Sequence, residues 1–338
     1  MSGRKPGLLN RMAPALMLAF LAPMFAEVLP GATRFSSIFV FPIELAVWGG
    51  GVVMARALVR KLGRGWYALL LLGLALAVAE ELLIQQTSTA PMVIRLKGET
   101  WARAFDLNYV YFIWALVYES SWVVLLPTLT VELVFPERRS DPWLSKAGAI
   151  VTGVLFLIGC FFAWFTWAQI ARTKVFHQAP FTPPMVWVIA AIAAIALLIF
   201  AAVRLVPQRP RSALKPPPPL VVGLLGAIWA ILWFGLVVLA FGIAPRFPPS
   251  AAVAGSLLIA ALLLIFVPRW AADQRWSRRH DYALLAGSLG GSMIVSFVGF
   301  IGNANMDLWF KVIVDLAAVV GLVWLWWRLR FESASAVH

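Results

Sequence analysis

Long apolar stretches alternate with short segments of basic and turn-forming residues along the whole chain. A helix needs about 20 mostly apolar residues to cross the hydrocarbon core of a bilayer. Ten stretches reach that length, and they cover approximately residues 12–30, 37–58, 66–87, 107–135, 145–169, 184–206, 220–243, 250–268, 282–302 and 306–328. The pattern therefore predicts an all-α fold, a polytopic membrane helix bundle of about ten transmembrane helices.

The composition agrees with that pattern. Of the 338 residues, 62% are hydrophobic and 13% are charged, and the mean hydropathy is +0.87. A soluble domain carries roughly 25% charged residues, because most of its surface must meet water. The composition argues against a soluble enzyme, a disordered chain and a nucleic-acid-binding domain. We expect the lipid bilayer to be the main partner of the chain, and we expect no nucleic acid.

The net charge is +13, and the basic residues lie mostly between the spans. Their distribution over the loops therefore indicates how the chain is oriented in the membrane. With the N-terminus inside, twenty Lys and Arg residues fall on the cytoplasmic side and seven on the other. Short cytoplasmic loops carry an excess of Lys and Arg. The bias predicts that both termini of a multi-pass membrane protein are cytoplasmic.

The first span follows three basic residues, as the apolar region of a signal peptide does. Pro14 and Pro23 interrupt this span, and Glu27 follows closely. We therefore expect the segment to be an uncleaved first transmembrane helix.

One cytoplasmic segment, Pro207–Pro219, reads PQRPRSALKPPPP. Four consecutive prolines favour an extended polyproline spacer, although a plain interhelical loop is the simpler interpretation. The segment divides the chain into a six-helix region, residues 1–206, and a four-helix region, residues 220–338.

Acidic residues inside the predicted spans are the most informative feature, because an ionisable group in a membrane is costly and usually faces the bundle interior. Eight of the fifteen lie within or at the ends of spans: Glu27, Glu44, Glu80, Glu81, Glu119, Glu132, Asp307 and Asp315. At 1.5 Å per residue, the first five of these share the outer half of the membrane. Glu132 lies near the cytoplasmic end, where an ion pair with Arg138 or Arg139 is the expected role.

Helical spacing predicts which of these residues share a face. Asn108 and Glu119 are three turns apart on one face, with Tyr111 close to the same stripe. Neighbouring Glu80 and Glu81 differ by about 100°. Gln85 follows Glu81 by one turn, which makes the face of Glu81 the better wall for a pocket.

We hypothesise an outward-facing carboxylate pocket in the membrane, in which at least one carboxyl group holds a proton. A neutral structural network paired with Arg34, Arg95 or Arg103 is the alternative. On the last span, an acid–base–acid ladder at spacings of four neutralises much of its own charge. The candidate binding residues are Glu27, Glu44, Glu80, Glu81, Gln85, Asn108, Tyr111, Glu119, Asp307, Lys311 and Asp315.

The sequence predicts no metal site and no cofactor. The three histidines, His177, His280 and His338, lie outside the predicted spans, so histidine ligands are not expected within the membrane. One cysteine, Cys160, excludes an intramolecular disulfide. No phosphate-binding glycine loop and no G-x-S-x-G motif is present, and we assign no catalytic residue.

Small residues in two spans predict close helix contacts. In the ninth span, Gly287 and Gly291 form a row of small residues at a spacing of four. In the second span, Gly49, Gly50 and Gly51 interrupt the helix after Glu44, which allows a bend or a close backbone approach.

Three segments resemble an uncharacterised family of bacterial polytopic membrane proteins. They are GRGWYALLLLGLALAVAEELL, LNYVYFIWALVYESSWVVLLPTLTVELVFP and the PW that follows. The resemblance covers about residues 20–145 and implies a class and a location, a multi-pass protein of the bacterial inner membrane, but no activity. The EE pair at Glu80 and Glu81 is also similar to that of CAAX-protease and bacteriocin-processing membrane proteins. Those proteins combine a glutamate pair with histidines on later helices. No histidine of this chain lies within a predicted span, so a working protease of that type is not expected.

Two functions follow as hypotheses. The first is a transporter or permease with an outward-facing carboxylate pocket for an unidentified small molecule or ion. The second is an intramembrane hydrolase of the glutamate type, or an inactive scaffold derived from one. The sequence specifies neither the substrate nor the oligomeric state.

Overall fold

The computed structural model describes residues 8–91, 102–207, 212–238, 247–302 and 305–335. Several residues used in the sequence predictions lie outside these ranges, namely residues 208–211 of the proline-rich segment together with Arg4, Lys5, Arg95, Lys97, Arg246 and His338.

Ten helices within the described ranges are long and apolar enough to cross a membrane, as the sequence predicts. We number them α1 (Arg11–Val28), α2 (Phe35–Lys61), α3 (Trp66–Ile84), α4 (Tyr109–Val134), α5 (Lys146–Val175), α6 (Met185–Leu205), α7 (Pro219–Leu236), α8 (Pro249–Ala271), α9 (Arg278–Phe300) and α10 (Met306–Phe331). The all-α class is confirmed, and the chain is a multi-pass integral membrane protein.

Most of these spans are not uniform α-helices. Their α-helical parts are Leu8–Pro23, Phe41–Glu44, Gly50–Lys61, Trp66–Ala79, Tyr109–Tyr118, Leu126–Val134, Lys146–Ala163, Met185–Phe200, Pro219–Val238, Pro249–Ala271, Arg278–Ser296 and Met306–Ser335. Wider π-helical turns occupy Met24–Val28, Leu45–Gly49, Glu80–Ile84, Glu119–Leu125, Trp164–Val175 and Ala201–Leu205. Short 3₁₀ turns occupy Phe35–Val40, Pro136–Arg138 and Phe297–Phe300.

Four of the π-helical turns coincide with acidic residues. Glu27 lies within the turn of α1, and Glu44 directly precedes that of α2. The turn of α3 begins with Glu80 and Glu81, and that of α4 begins with Glu119. Such turns are rare inside α-helices and occur frequently at functional sites. The backbone is therefore irregular where each of the four helices carries its acid.

The first four spans form the buried centre of the bundle. The most apolar parts of α3 and α4 are 61% buried, whereas those of α5, α6 and α8 are 11% buried. The latter three helices therefore present most of their apolar side chains to the surrounding lipid.

Glycine positions confirm the close helix contacts that the sequence predicts. A side chain on Gly287 of α9 would collide with the backbone of Gly223 on α7, and one on Gly291 would meet Ala227. In α2, a side chain on Gly49 would collide with the backbone of Ala19 on α1. The small residues let these backbones touch.

A small hairpin precedes α4. Strands β1 (Arg103–Ala104) and β2 (Leu107–Asn108) pair antiparallel, with Arg103 opposite Asn108. Phe105 and Asp106 between them both have positive φ angles, as a tight two-residue hairpin turn requires. The hairpin places Asn108 at the start of α4.

Candidate functional site

Five acidic side chains from α1 to α4 come together inside the bundle, and we call them the acidic cluster: Glu27, Glu44, Glu80, Glu81 and Glu119. Glu27 is half-buried, and the other four are at most 5% exposed. Glu27 is close enough to Glu44, Glu80 and Glu81 for electrostatic repulsion. The structure thus brings together the five acids that the sequence assigns to a common depth.

Glu81 and Glu119 form the best-connected pair of the acidic cluster. Their carboxyl groups are close enough to share a hydrogen bond, and Oε2 of Glu119 has no partner among the described residues. Oε2 of Glu81 also accepts hydrogen bonds from the hydroxyls of Thr87 at 2.7 Å and Ser88 at 2.6 Å. Since an ionised carboxylate only accepts hydrogen bonds, a bond between two carboxyl groups requires a proton on at least one of them.

Glu80 has the opposite surroundings. It is 3% exposed, and neither of its carboxyl oxygens has a hydrogen-bond partner among the described residues. Glu44 receives a hydrogen bond from Thr33 on one oxygen, and its other oxygen has none there. No Lys or Arg in the described ranges forms an ion pair with any of the five acids. Buried polar groups are normally hydrogen-bonded. The carboxyl group of Glu80 is an exception among the described residues.

The segment that follows α3 folds back over the acidic cluster. Ser88 and Thr89 are fully buried, and the backbone carbonyl of Ser88 accepts the N–H of Asn108 at 2.9 Å. Arg103 holds this segment through the carbonyl of Thr89, at 2.7 Å. Partial burial lowers the pKa of the Arg103 guanidinium from its ordinary value, and Asp106 opposes this effect. The segment therefore closes one end of the cluster.

Asn108 and Gln85 have backbone roles. The side-chain oxygen of Asn108 accepts the N–H of Tyr111 at 3.0 Å and so caps the start of α4. Gln85 is half-buried, and its N–H closes the π-helical turn to the carbonyl of Glu80 at 3.0 Å. These contacts assign both residues to the framework around the acids.

An aromatic column on α4 borders the acidic cluster, and its rings belong to Tyr111, Trp114, Tyr118 and Trp122. Trp114 stacks on Tyr118 with ring centroids 4.6 Å apart, and Tyr118 stacks on Trp122 at 5.6 Å. The hydroxyl of Tyr118 donates to the carbonyl of Ala26, next to Glu27. Both tyrosines lie near several of the acids.

The three candidate residues on α10 lie at a different interface. Lys311 is 1% exposed, and it pairs with Asp315 and contacts the Phe297 ring at 4.6 Å from its centroid. Asp307 instead accepts hydrogen bonds from the N–H and the hydroxyl of Ser36, at 2.9 and 3.0 Å. The predicted three-residue ladder is therefore a pair of Lys311 and Asp315, and Asp307 makes a separate contact with the start of α2.

Glu132 is the centre of a second buried network. Its carboxylate accepts hydrogen bonds from Arg56 at 3.1 Å, Arg60 at 2.6 Å and Arg139 at 2.9 Å. The sequence predicts Arg139 correctly, but it misses Arg56 and Arg60 because they come from α2. Arg138, the other predicted partner, pairs with Asp141 at 3.3 Å.

Two open cavities in the described part of the chain have no residue of the acidic cluster in their lining. The larger, about 490 Å³, is lined by Ser277, Arg278, Arg279 and Leu329. The smaller, about 180 Å³, is lined by Leu129, Glu132, Leu133, Pro136, Arg139, Arg278 and Asp281. Within the described ranges, no group of three or more His, Cys, Asp and Glu side chains has an arrangement suited to a metal ion.

Four residues of the cluster's surroundings were absent from the sequence prediction: Thr33, Thr87, Ser88 and Tyr118. Tyr118 directly precedes Glu119, and Thr87 and Ser88 lie in the polar segment QQTST, which begins four residues after Glu81. The closeness of these hydroxyl residues to intramembrane acids along the chain is the sequence signal that identifies them as possible neighbours of the cluster.

No protein-family model, curated protein or solved structure matches the chain. The resemblance over residues 20–145 stays a prediction.

Proposed function

We propose that the protein is a proton-coupled permease of the bacterial inner membrane, with both termini in the cytoplasm. In this proposal the acidic cluster carries protons during movement of a small molecule or ion. The observation that supports it most directly is Glu80, which is buried without a hydrogen-bond partner in the described part of the chain, among acids from four helices. A carboxyl group in such surroundings is costly to ionise, so proton binding and helix movement become linked.

The connections of the cluster suggest how protons move within it. Glu81 and Glu119 are close enough to share a hydrogen bond between α3 and α4, and Thr87 and Ser88 stabilise an ionised Glu81. Transfer of a proton from Glu81 or Glu119 to Glu80 moves negative charge within the cluster. The electrostatic forces between the helices that carry these acids then change. The π-helical turns supply backbone that tolerates such shifts.

The hydrolase alternative gains no support from the described histidines. His177 is exposed. His280 is held by Ser277 and by the carbonyl of Pro217 at 3.1 Å. Neither lies beside Glu80 and Glu81, as the chemistry of the glutamate-type hydrolases would need.

Dicyclohexylcarbodiimide tests the proposal without knowledge of the substrate, because it reacts with protonated carboxyl groups in apolar surroundings. The full-length protein is labelled in detergent at several pH values, and mass spectrometry locates the modified residue. We expect labelling within the acidic cluster, foremost at Glu80, that decreases as the pH rises. Glu80→Gln should abolish the label at this site, whereas Glu137→Gln, outside the acidic cluster, should leave it unchanged.

Proton movement provides the second test. Proteoliposomes containing a pH-sensitive dye receive gradients of Na⁺, K⁺ or tetraphenylphosphonium, one at a time. We expect proton counterflow with at least one of them, lost in Glu80→Gln and Glu119→Gln but kept in Glu137→Gln. Glu119→Gln preserves size and hydrogen bonding, so its loss of flux should occur without loss of folded protein. Unlabelled acids together with no proton movement for any probe would contradict the proposal.

A further inference from the structure

The larger cavity, which we call the arginine cavity, lies where α9 begins. Ser277, Arg278, Arg279 and Leu329 line its volume of about 490 Å³. Arg278 also lines the smaller cavity beside Glu132, and its guanidinium donates to the carbonyl of Leu133 at 3.0 Å. This bond fixes Arg278 between α4 and α9 as the wall that the two cavities share.

Positive charge is in excess at the arginine cavity. Arg278 and Arg279 line it, and no carboxylate is among its lining residues. The smaller cavity is balanced, since Arg139 and Arg278 face Glu132 and Asp281 there. Clustered arginine side chains near a membrane surface attract anionic headgroups.

The cavity lies at the level where lipid headgroups meet the protein. Three spans have an end there, since α4 ends at Val134, α9 begins at Arg278 and α10 ends at Phe331. On α10, Trp324 is 51% exposed and Trp327 is 58% exposed, close to that end. Exposed tryptophans near span ends mark the membrane interface.

The start of α9 adds to this positive charge. Ser277 is the capping residue of the helix, and Arg278 and Arg279 are its first two residues. All three line the cavity. The positive end of the helix dipole therefore lies beside the two arginine side chains.

We propose that the arginine cavity binds the phosphate group of an anionic phospholipid. Arg278 and Arg279 are the cationic ligands of the phosphate, and the acyl chains of the lipid lie against α10. Basic pockets between transmembrane helices are suited to such headgroups. This site is separate from the acidic cluster, and it stands whether or not the protein is a permease.

Native mass spectrometry of the delipidated full-length protein tests the site. The protein is titrated with phosphatidylglycerol and with phosphatidylcholine of the same acyl chains. We expect one tightly retained phosphatidylglycerol and weaker binding of phosphatidylcholine. Arg279→Gln should reduce phosphatidylglycerol occupancy about fivefold, and Arg279→Lys should restore most of it.

Arg330→Gln is the matched control, because it removes one exposed positive charge near the same end of α10 without touching the cavity. Its occupancy should equal that of the unaltered protein. Equal retention of the two lipids, or an equal loss in Arg330→Gln and Arg279→Gln, would overturn the proposal. Displacement of the lipid by millimolar inorganic phosphate would instead assign the cavity to a soluble phosphate and overturn the lipid assignment.

Discussion

The carboxyl group of Glu81 lies within hydrogen-bonding reach of that of Glu119 across the contact between α3 and α4. Glu80, the next residue along the chain, is equally buried but has no hydrogen-bond partner among the residues that the structure describes. Neighbouring side chains of a helix point about 100° apart, so the two acids cannot share one face of a regular helix. The structure buries both, at the start of the π-helical turn Glu80–Ile84.

This difference predicts opposite effects of one substitution at two adjacent positions. Glu81→Met leaves Thr87, Ser88 and Glu119 without an acceptor, which should cost about 1–3 kcal/mol of stability. Glu80→Met removes only an unpartnered polar group and should be neutral or stabilising. Thermal unfolding of both variants in one detergent measures the contrast. Equal destabilisation would show that Glu80 has a partner in the folded protein.

The Glu132 network should be essential for folding. Glu132→Ala leaves Arg56, Arg60 and Arg139 without their shared carboxylate, and breaking a buried pair in this way costs about 3–5 kcal/mol. We expect a large fall in the unfolding midpoint and a low yield. Asp273→Asn is the control, because it removes a carboxylate from an ion pair at the surface. In that pair, hydrogen bonds from Arg275 lower the pKa of the Asp273 carboxyl group. A stable Glu132→Ala protein would contradict the role of this network.

The contact between α7 and α9 depends on Gly287. A methyl group there would collide with the backbone of Gly223, so Gly287→Ala should cost about 1–3 kcal/mol through separation of the two helices. At Gly290, three residues further along α9, a methyl group would have no described atom within 4 Å. Gly290→Ala should therefore be neutral or slightly stabilising. The pair is compared by thermal unfolding, and similar midpoints would show that α7 and α9 are not in contact at Gly287.

The proposed orientation predicts the result of reporter fusions. A reporter inserted in residues 212–218 should behave as cytoplasmic, and one in residues 177–181 as periplasmic, because basic residues concentrate on the first side. Alkaline phosphatase and green fluorescent protein fusions report the two compartments. A reversed result at either site would place the acidic cluster in the inner half of the membrane.

The sequence alone determines the ten spans, because the length and apolarity of each stretch are properties of that stretch. It also determines which acids lie inside the spans and how far along each span they lie, since a helix advances by a constant rise per residue. The small residues at Gly49 and Gly287 likewise mark positions where another backbone can approach closely. None of these features depends on which helix becomes the neighbour of another.

Contacts between helices are decided only by the tertiary structure. The pairing of Glu81 with Glu119, the arginines of α2 around Glu132 and the contact of Asp307 with Ser36 all join distant parts of the chain. Each depends on the rotation of two helices about their axes, and a single π-helical turn changes that rotation. Because the local apolar pattern is the same for many rotations, the sequence predicts the acids and their depth, and packing decides their partners.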